Sequence, residues 1–179
     1  MIPTPKIDIL RYDAPIFTYS FPQLITKEKC QEFRNQFPLS NNSNVHAWHS
    51  DYDSHKQSKI FQPVLDKVLL MCYDISKQYY NTPIQDPFCY EVDDLWLAMY
   101  EKNDETLLHG HFPATFSACY YVEVEDDCSP ITFDGLSIQP ENGMLLIWIG
   151  LMKHKVEPTN KKRTCICMNI RNQRVIKNE

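Results

Sequence analysis

The sequence contains few glycines, and this scarcity argues against the large classes of nucleotide-binding proteins. Only four glycines stand beside twelve prolines in 179 residues. Phosphate-binding loops rely on several closely spaced glycines, and neither a GxxxxGK[ST] nor a GxGxxG pattern occurs. We therefore expect neither a P-loop nor a dinucleotide-binding fold.

Long apolar runs and long basic runs are also missing. No stretch approaches the ~20 apolar residues that a membrane span needs. The first residues, Met1 to Lys6, lack the features of a signal peptide. The net charge is −5, and no run of Lys or Arg exceeds three residues. We expect a cytoplasmic protein that binds neither membranes nor nucleic acid.

The cysteines do not form the pattern of a disulfide framework. Their number is odd and no CxxC pair occurs, which favours a reducing compartment. Cys165 and Cys167 lie two residues apart in an apolar run. A metal-binding role is one interpretation of this pair, and small buried hydrophobic residues in a strand are the ordinary one. The seven are Cys30, Cys72, Cys89, Cys119, Cys128, Cys165 and Cys167.

The length predicts one domain over residues 1–179, with a mixed front half (1–93) and a strand-rich back half (94–171). The front half predicts strands at 7–12 and 16–21, helices at 26–37 and 61–80, and a polar loop at 41–59. Eight short strands follow, which favours a mainly β (α+β) fold, either a meander or a jelly roll, with the helices covering one face. These strands are 95–101, 106–111, 115–125, 130–133, 136–139, 144–149, 153–157 and 163–171.

Three histidines are candidate metal ligands. His109 and His111 lie two residues apart in a predicted strand, so their side chains share one face with Cα atoms about 6.6 Å apart. His154 opens a later strand and would complete a set of three protein ligands with open positions, as in catalytic metal sites. The alternative is that each is an ordinary hydrogen-bonded histidine.

Arg163 is a candidate anion-binding residue. A hairpin turning near Pro158–Asn160 would place Arg163 opposite or diagonal to His154 on the same face. A guanidinium beside a metal ligand is suited to binding a carboxylate through two parallel hydrogen bonds. The alternative is a solvated basic turn over residues 160–163.

Taken together, these motifs resemble the 2-oxoglutarate/Fe(II)-dependent dioxygenases of the prolyl-hydroxylase-like branch. The resemblance runs from Trp96 to Asn169 and is closest to a small group of such oxygenases with a His-x-His…His pattern. The matching segments are HGHFPATFSACYYV (109–122), PENGMLLIW (140–148), HKVEP (154–158) and RTCICMN (163–169).

The resemblance implies a double-stranded β-helix, which is a cupin-like jelly-roll barrel, and an enzyme that uses Fe(II), 2-oxoglutarate and O2. It implies iron at His109, His111 and His154, and the distal carboxylate of 2-oxoglutarate on Arg163. It also implies that Tyr100, Ser117 and Tyr121 line the cosubstrate pocket. The expected reaction is oxidative decarboxylation of 2-oxoglutarate to succinate, coupled to hydroxylation of a small-molecule or protein substrate.

The third ligand position departs from most of this superfamily. Most members have His-x-Asp, whereas this sequence has His111 at that position. A neutral imidazole leaves the iron one unit more positive than a carboxylate would, which favours binding of the 2-oxoglutarate dianion. Other carboxylates could be considered as ligands: Asp51 in the literal His49-Ser50-Asp51 motif, Asp104 and Asp134. None of them has a matching strand context.

Two other functions remain open on the sequence alone. A three-histidine, cupin-like metalloenzyme would need no 2-oxoglutarate. A non-catalytic jelly-roll binding module would retain the histidines without their chemistry. Tyr100, Ser117 and Tyr121 are, on this last interpretation, packing residues of the core.

Overall fold

Two antiparallel β-sheets form the centre of the computed structural model, which describes residues 14–41, 43–81, 89–158 and 160–173. The larger sheet has the strand order β1-β9-β6-β11-β4-β3, and the smaller has the order β2-β5-β10-β7-β8. The strands are β1 (Ile16–Ser20), β2 (Val45–His46), β3 (Trp48–His49), β4 (Tyr90–Tyr100), β5 (Glu105–His109), β6 (Phe116–Val124), β7 (Ile131–Phe133), β8 (Leu136–Ile138), β9 (Met144–Ile149), β10 (His154–Val156) and β11 (Arg163–Asn172).

The predicted mainly β fold with a jelly-roll arrangement is confirmed by these two sheets. Sequence neighbours are often not spatial neighbours, since β11 lies between β4 and β6, and β10 lies between β5 and β7. A simple meander would pair consecutive strands throughout, so the alternative topology is wrong.

Two helices cover the outer face of the larger sheet. Helix α1 (Lys27–Gln36) begins at the predicted cap, where the Thr26 hydroxyl accepts a hydrogen bond from the backbone N–H of Lys29. Helix α3 (Gln62–Asp74) continues into one π-helical turn (Ile75–Tyr79) and presents Val64 and Val68 to the sheet. Both predicted helices are therefore confirmed, with ends within a few residues of those expected.

Side-chain alternation divides the interior into two cores. On β4, Leu95 and Leu97 face the helices, whereas Trp96, Ala98 and Tyr100 face the smaller sheet. This is the period of two that a strand imposes. A strand buried on both faces reads as a continuous apolar run, which is why Leu95–Tyr100 contains no charged residue.

The segment at 41–59 differs from the predicted loop. It contains β2, β3 and a short helix, α2 (Ser54–Gln57), and β3 extends the larger sheet by pairing with β4. Two-residue strands carry too little periodicity to be recognised in a polar sequence. The strand predicted at 7–12 lies outside the described residues.

Candidate metal centre and buried arginine

The three predicted histidines converge at one end of the space between the sheets. His109 is the last residue of β5 and His154 is the first residue of β10, and the two are paired across these antiparallel strands. His111 reaches the same point from the segment after β5. One ligating atom from each residue lies within 4.8 Å of the other two. In the part of the chain that the structure describes, the only other group of three with such geometry is formed by Cys119, Cys165 and Cys167.

The rings are oriented so that a nitrogen of each is available at the centre. Ring centroids are 4.4 Å apart for His109 and His154, and 4.7 Å apart for His109 and His111. His109 Nδ1 donates to the carbonyl oxygen of Leu107 at 2.8 Å. Such a bond fixes the tautomer and leaves Nε2 free as a ligand, as is typical of metal-binding histidines.

The electrostatic environment keeps these imidazoles neutral. Burial is the main cause that lowers the pKa of His154 to about 3, with further lowering by His109 and His111. Burial, and then the charge of His109, lowers the pKa of His111 to about 4. Burial also lowers the pKa of His109. Neutral imidazole is the form that binds a metal, so the cluster needs no proton release at neutral pH.

His111 does not lie within a strand, which corrects the prediction of a strand through residue 111. β5 ends at His109, and the backbone N–H of His111 donates to the carbonyl of Gly150 at 2.7 Å. The backbone N–H of Ala114 closes a turn onto the carbonyl of His111. The loop is thereby attached to the end of β9, and this attachment positions the third imidazole.

Arg163 reaches the cavity by a different route from the one predicted. The expected hairpin pairing of residues 154 and 163 is wrong, because β10 belongs to the smaller sheet and β11 to the larger. His154 pairs with His109 and Phe133, while Arg163 pairs with Tyr100 and Val124. The two side chains nevertheless meet in one cavity because the inner faces of the sheets oppose each other.

The guanidinium of Arg163 is buried, and only part of its hydrogen-bonding capacity is used. The residue is 2% exposed, and its Nη1 donates to the carbonyl of Ser129 at 3.0 Å. Its Cζ lies 4.1 Å from the centroid of the Tyr100 ring. Nε has no hydrogen-bond partner, and no carboxylate among the described residues lies within ion-pair distance. A buried charge without an anionic partner is unfavourable unless a ligand supplies one.

A cavity connects the imidazoles with this guanidinium. His109, His111, His154 and Arg163 all line it, together with aromatic side chains that include Trp96 and Trp148. Its volume is about 40 Å³. A single water needs only about 10–15 Å³ on the same measure, so hydrocarbon packing does not close the space.

The tyrosines that the resemblance implied lie in this cavity. Tyr100 and Tyr121 both line it, and the Tyr100 hydroxyl hydrogen-bonds to Thr106 Oγ1 at 2.6 Å. Burial raises the pKa of both phenols, so they are neutral. Ser117 lies elsewhere: it is buried, it is absent from the cavity wall, and its hydroxyl donates to Asn169 Oδ1 at 3.2 Å.

The alternative carboxylates do not join the centre. His49 is buried and hydrogen-bonded to Ser43 and to the backbone of Ser50, while Asp51 accepts from Asn41. These bonds make His49 an ordinary satisfied core histidine. Asp104 accepts from the backbone N–H of Glu101 in a turn, and Asp134 borders a separate groove on the outside of the barrel.

Several residues of this cavity could not be singled out from the sequence. Thr106 positions Tyr100, and Cys119 joins Cys165 and Cys167 on the cavity wall. At the cavity mouth, Asn169 Nδ2 donates to Asp94 Oδ2 at 2.9 Å, and both residues border a wider outer cleft. The pairing of β6 with β11 brings Cys119 to Cys167, and the pairing of β4 with β11 brings Asp94 to Asn169; a single-sequence pattern contains neither pairing.

The donor set fits a first-row divalent metal and an organic dianion. Three neutral imidazoles suit Fe(II), Zn(II) or Cu(II) and leave further coordination positions open. The unpartnered Nε of buried Arg163 fits a carboxylate held inside the cavity. The residues present are therefore compatible with iron and 2-oxoglutarate.

Solved structures with the same fold were found by comparison of the coordinates. A Pseudomonas putida prolyl-4-hydroxylase superposes with a TM-score of 0.65 at 15% identity, covering 88% of this chain and 92% of that one. A viral collagen prolyl hydroxylase from Paramecium bursaria Chlorella virus-1, solved with 2OG, has a TM-score of 0.58 at 13% identity, covering 87% and 96%. The α-ketoglutarate-dependent epimerase of nogalamycin biosynthesis has a TM-score of 0.57 at 12% identity, covering 89% and 82%.

These similarities confirm the fold implied by the resemblance. No family model matches the sequence, and no curated protein matches it. Among the described residues, no helix is long and apolar enough to cross a membrane. All seven cysteines are free thiols, as expected without a disulfide framework.

Proposed function

We propose that the protein is a non-haem Fe(II)- and 2-oxoglutarate-dependent oxygenase. The observation that carries the proposal is that a three-imidazole cluster and a buried guanidinium line one cavity, and that this guanidinium has no carboxylate partner among the described residues. A metal centre and a fixed guanidinium in one cavity are complementary in charge to the two carboxylates of a dicarboxylate. The fold is shared with 2-oxoglutarate-using enzymes and is consistent with this assignment.

His109, His111 and His154 would hold the iron. Bound Fe(II) with 2-oxoglutarate and O2 supplies an oxidant strong enough to hydroxylate a substrate C–H bond, with release of succinate and CO2. The hydrogen bond from His109 Nδ1 to Leu107 holds that ring in place for ligation.

The other cavity residues bind and orient the cosubstrate. Arg163 would bind the distal carboxylate of 2-oxoglutarate. The Tyr100 ring, which packs against the guanidinium, holds the guanidinium plane in a fixed orientation. Trp96 and Trp148 narrow the cavity around the imidazoles and exclude bulk water. A low-dielectric site of this kind strengthens the ion pair between Arg163 and the carboxylate.

The substrate would enter through the outer cleft, which adjoins the imidazoles. Asn44, Tyr52, Asp94 and Asn169 border this cleft, so polar contacts are available to a small molecule or to a protein segment. Seven free thiols are typical of a protein in a reducing compartment, and we propose that this protein is located in the cytoplasm.

The test measures succinate release from 2-oxoglutarate by protein loaded with Fe(II) in the presence of ascorbate. Arg163→Met keeps much of the side-chain volume and removes the charge, so succinate release is expected to fall at least about tenfold. Arg171→Met is the matched control, because Arg171 lies on the same strand but is exposed and paired with Glu91 and Asp93. Equal rates in wild type and Arg163→Met would contradict the cosubstrate assignment.

A second function is favoured by one feature, the imidazole in the third ligand position. A three-histidine metalloenzyme that does not use 2-oxoglutarate would have the same metal centre but no need of Arg163. Binding of 2-oxoglutarate to the metal-loaded protein separates the two functions.

A further inference from the structure

Three thiols converge on the wall of the same cavity, away from the histidines. Cys167 lies directly opposite Cys119 in the pairing of β11 with β6, and Cys165 is two residues before Cys167 on the same face of β11. Cys167 Sγ is 3.9 Å from Cys119 Sγ and 3.9 Å from Cys165 Sγ. All three sulfur atoms lie within 4.8 Å of one another.

The two separations of 3.9 Å match the sulfur–sulfur distances of a metal–thiolate site. With Zn–S bonds of about 2.3 Å, sulfur atoms are about 3.8 Å apart in a tetrahedral site and about 4.0 Å apart in a trigonal one. A disulfide would instead require the sulfur atoms to approach to about 2.05 Å. The thiols are therefore spaced for an ion between them with little movement of the backbone.

We propose that Cys119, Cys165 and Cys167 form a binding site for a thiophilic divalent cation of the zinc type, with the fourth position facing the cavity. Soft thiolate ligands select such ions over Fe(II), whereas the imidazole cluster does not. The site is thus chemically distinct from the histidine centre. It does not depend on the proposed oxygenase activity.

The charge of the surroundings favours a divalent over a monovalent ion. Three thiolates and a divalent cation carry a net charge of −1, and Arg163 precedes Cys165 by two residues on the same face of β11. The guanidinium lines the same cavity and has no carboxylate partner among the described residues. When no cosubstrate carboxylate is bound to it, this guanidinium would neutralise the site, whereas a monovalent ion would leave a buried net charge of −1.

The experiment titrates chelator-treated protein with Cd²⁺ and follows the thiolate-to-metal charge-transfer band in the ultraviolet. Imidazole ligands do not produce this band, so the histidine centre is silent. The wild-type protein is expected to develop the band up to one equivalent, and added Zn²⁺ is expected to remove it by competition.

Two cysteine variants make the test specific. Cys167→Ala, which removes the thiol shared by both 3.9 Å contacts, is expected to weaken Cd²⁺ binding at least tenfold. Cys72→Ala removes a fully buried thiol from α3, outside the cluster, and is expected to bind as wild type does. Circular dichroism of each variant establishes that it is folded before titration. Absence of the band in wild type, or an unchanged titration in folded Cys167→Ala, would overturn the proposal.

Discussion

The third imidazole determines the charge that the metal centre presents to its ligands. Three neutral histidines leave a divalent iron with its full charge of +2, whereas a carboxylate ligand would reduce the total to +1. With Arg163 lining the same cavity, the proposed iron centre would offer 2-oxoglutarate two cationic groups. This charge distribution supports a site that favours a dianion in the resting complex.

Replacement of His111 by Asp should therefore weaken cosubstrate binding. The added negative charge lies beside the metal, where a unit charge is worth about one to several kcal/mol in a partly screened site, so the affinity for 2-oxoglutarate should fall at least about tenfold. Calorimetry on anaerobic Fe(II)-loaded protein measures this affinity directly.

His111→Asn is the matched control, because Asn has the size of Asp without its charge. Metal content is determined for both variants, and only loaded protein is compared. If His111→Asp binds 2-oxoglutarate as tightly as His111→Asn does, the charge at position 111 does not determine the affinity.

The segment that connects β5 to β6, rather than a strand, positions the third histidine. The segment from β5 to β6 carries His111, and it is attached to Gly150 by two backbone hydrogen bonds, from His111 N–H to Gly150 and from Gly150 N–H to Thr115. A β-carbon at Gly150 would overlap the carbonyl oxygen of Ala114. Glycine is thus required there by close approach of two backbones.

Gly150→Ala should displace this segment and with it the third ligand. Overpacking of this kind destabilises proteins by about 1–3 kcal/mol, and we expect metal affinity to fall as well because His111 moves. Thermal unfolding and metal titration report the two effects. Gly110→Ala is the control from the same segment, since a β-carbon there would make only ordinary contacts, 3.4 Å from Leu151 O. Equal metal affinity in both variants would show that the attachment does not position His111.

The sequence predicts those elements whose evidence is local. Helix α3 is recognisable because Val64 and Val68 recur at helical spacing, and α1 because Thr26 can cap it. The hairpin between residues 154 and 163 was a wrong prediction because turn chemistry reports only on neighbouring residues. Whether two strands joined by a short connection pair or separate into opposite sheets depends on contacts with distant strands.

The candidate site was predictable to a similar degree. His109 and His154 stand out by type and spacing, and their pairing across β5 and β10 is a fact of topology that sequence spacing does not contain. Cys119 carries no signal of its own, because its partner Cys167 is 48 residues away on another strand. Site residues that lie in one segment can be recognised from a single sequence. Site residues that come together from different strands can be recognised only from the family resemblance or from the structure.

In the molecule as a whole, the core that stabilises the fold is separate from the core that contains the candidate site. The larger sheet is buried on both faces, with one core against α1 and α3 and the other against the smaller sheet. The helix-facing core is almost entirely apolar, whereas the core between the sheets contains the imidazoles, the guanidinium and the thiols. A ligand in this inner cavity contacts both sheets, so its binding energy stabilises the entire barrel.

Thermal unfolding should therefore report cosubstrate binding. A ligand that binds only the folded state at a hundredfold excess over its Kd adds about 2.7 kcal/mol to the free energy of unfolding. For a chain of this size, this corresponds to a rise in Tm of about 5–10 °C. We expect 2-oxoglutarate to produce that rise in anaerobic Fe(II)-loaded protein, beyond any rise caused by Fe(II) alone.

The same measurement on Arg163→Met separates the two proposed functions. The variant keeps His109, His111 and His154, so the rise with Fe(II) alone should persist, and the additional rise with 2-oxoglutarate should disappear. A three-histidine metalloenzyme that does not use 2-oxoglutarate predicts a rise with metal and no further rise in wild type. Since both proteins respond to metal in either case, a missing 2-oxoglutarate effect in loaded wild-type protein would count against the oxygenase and in favour of that alternative.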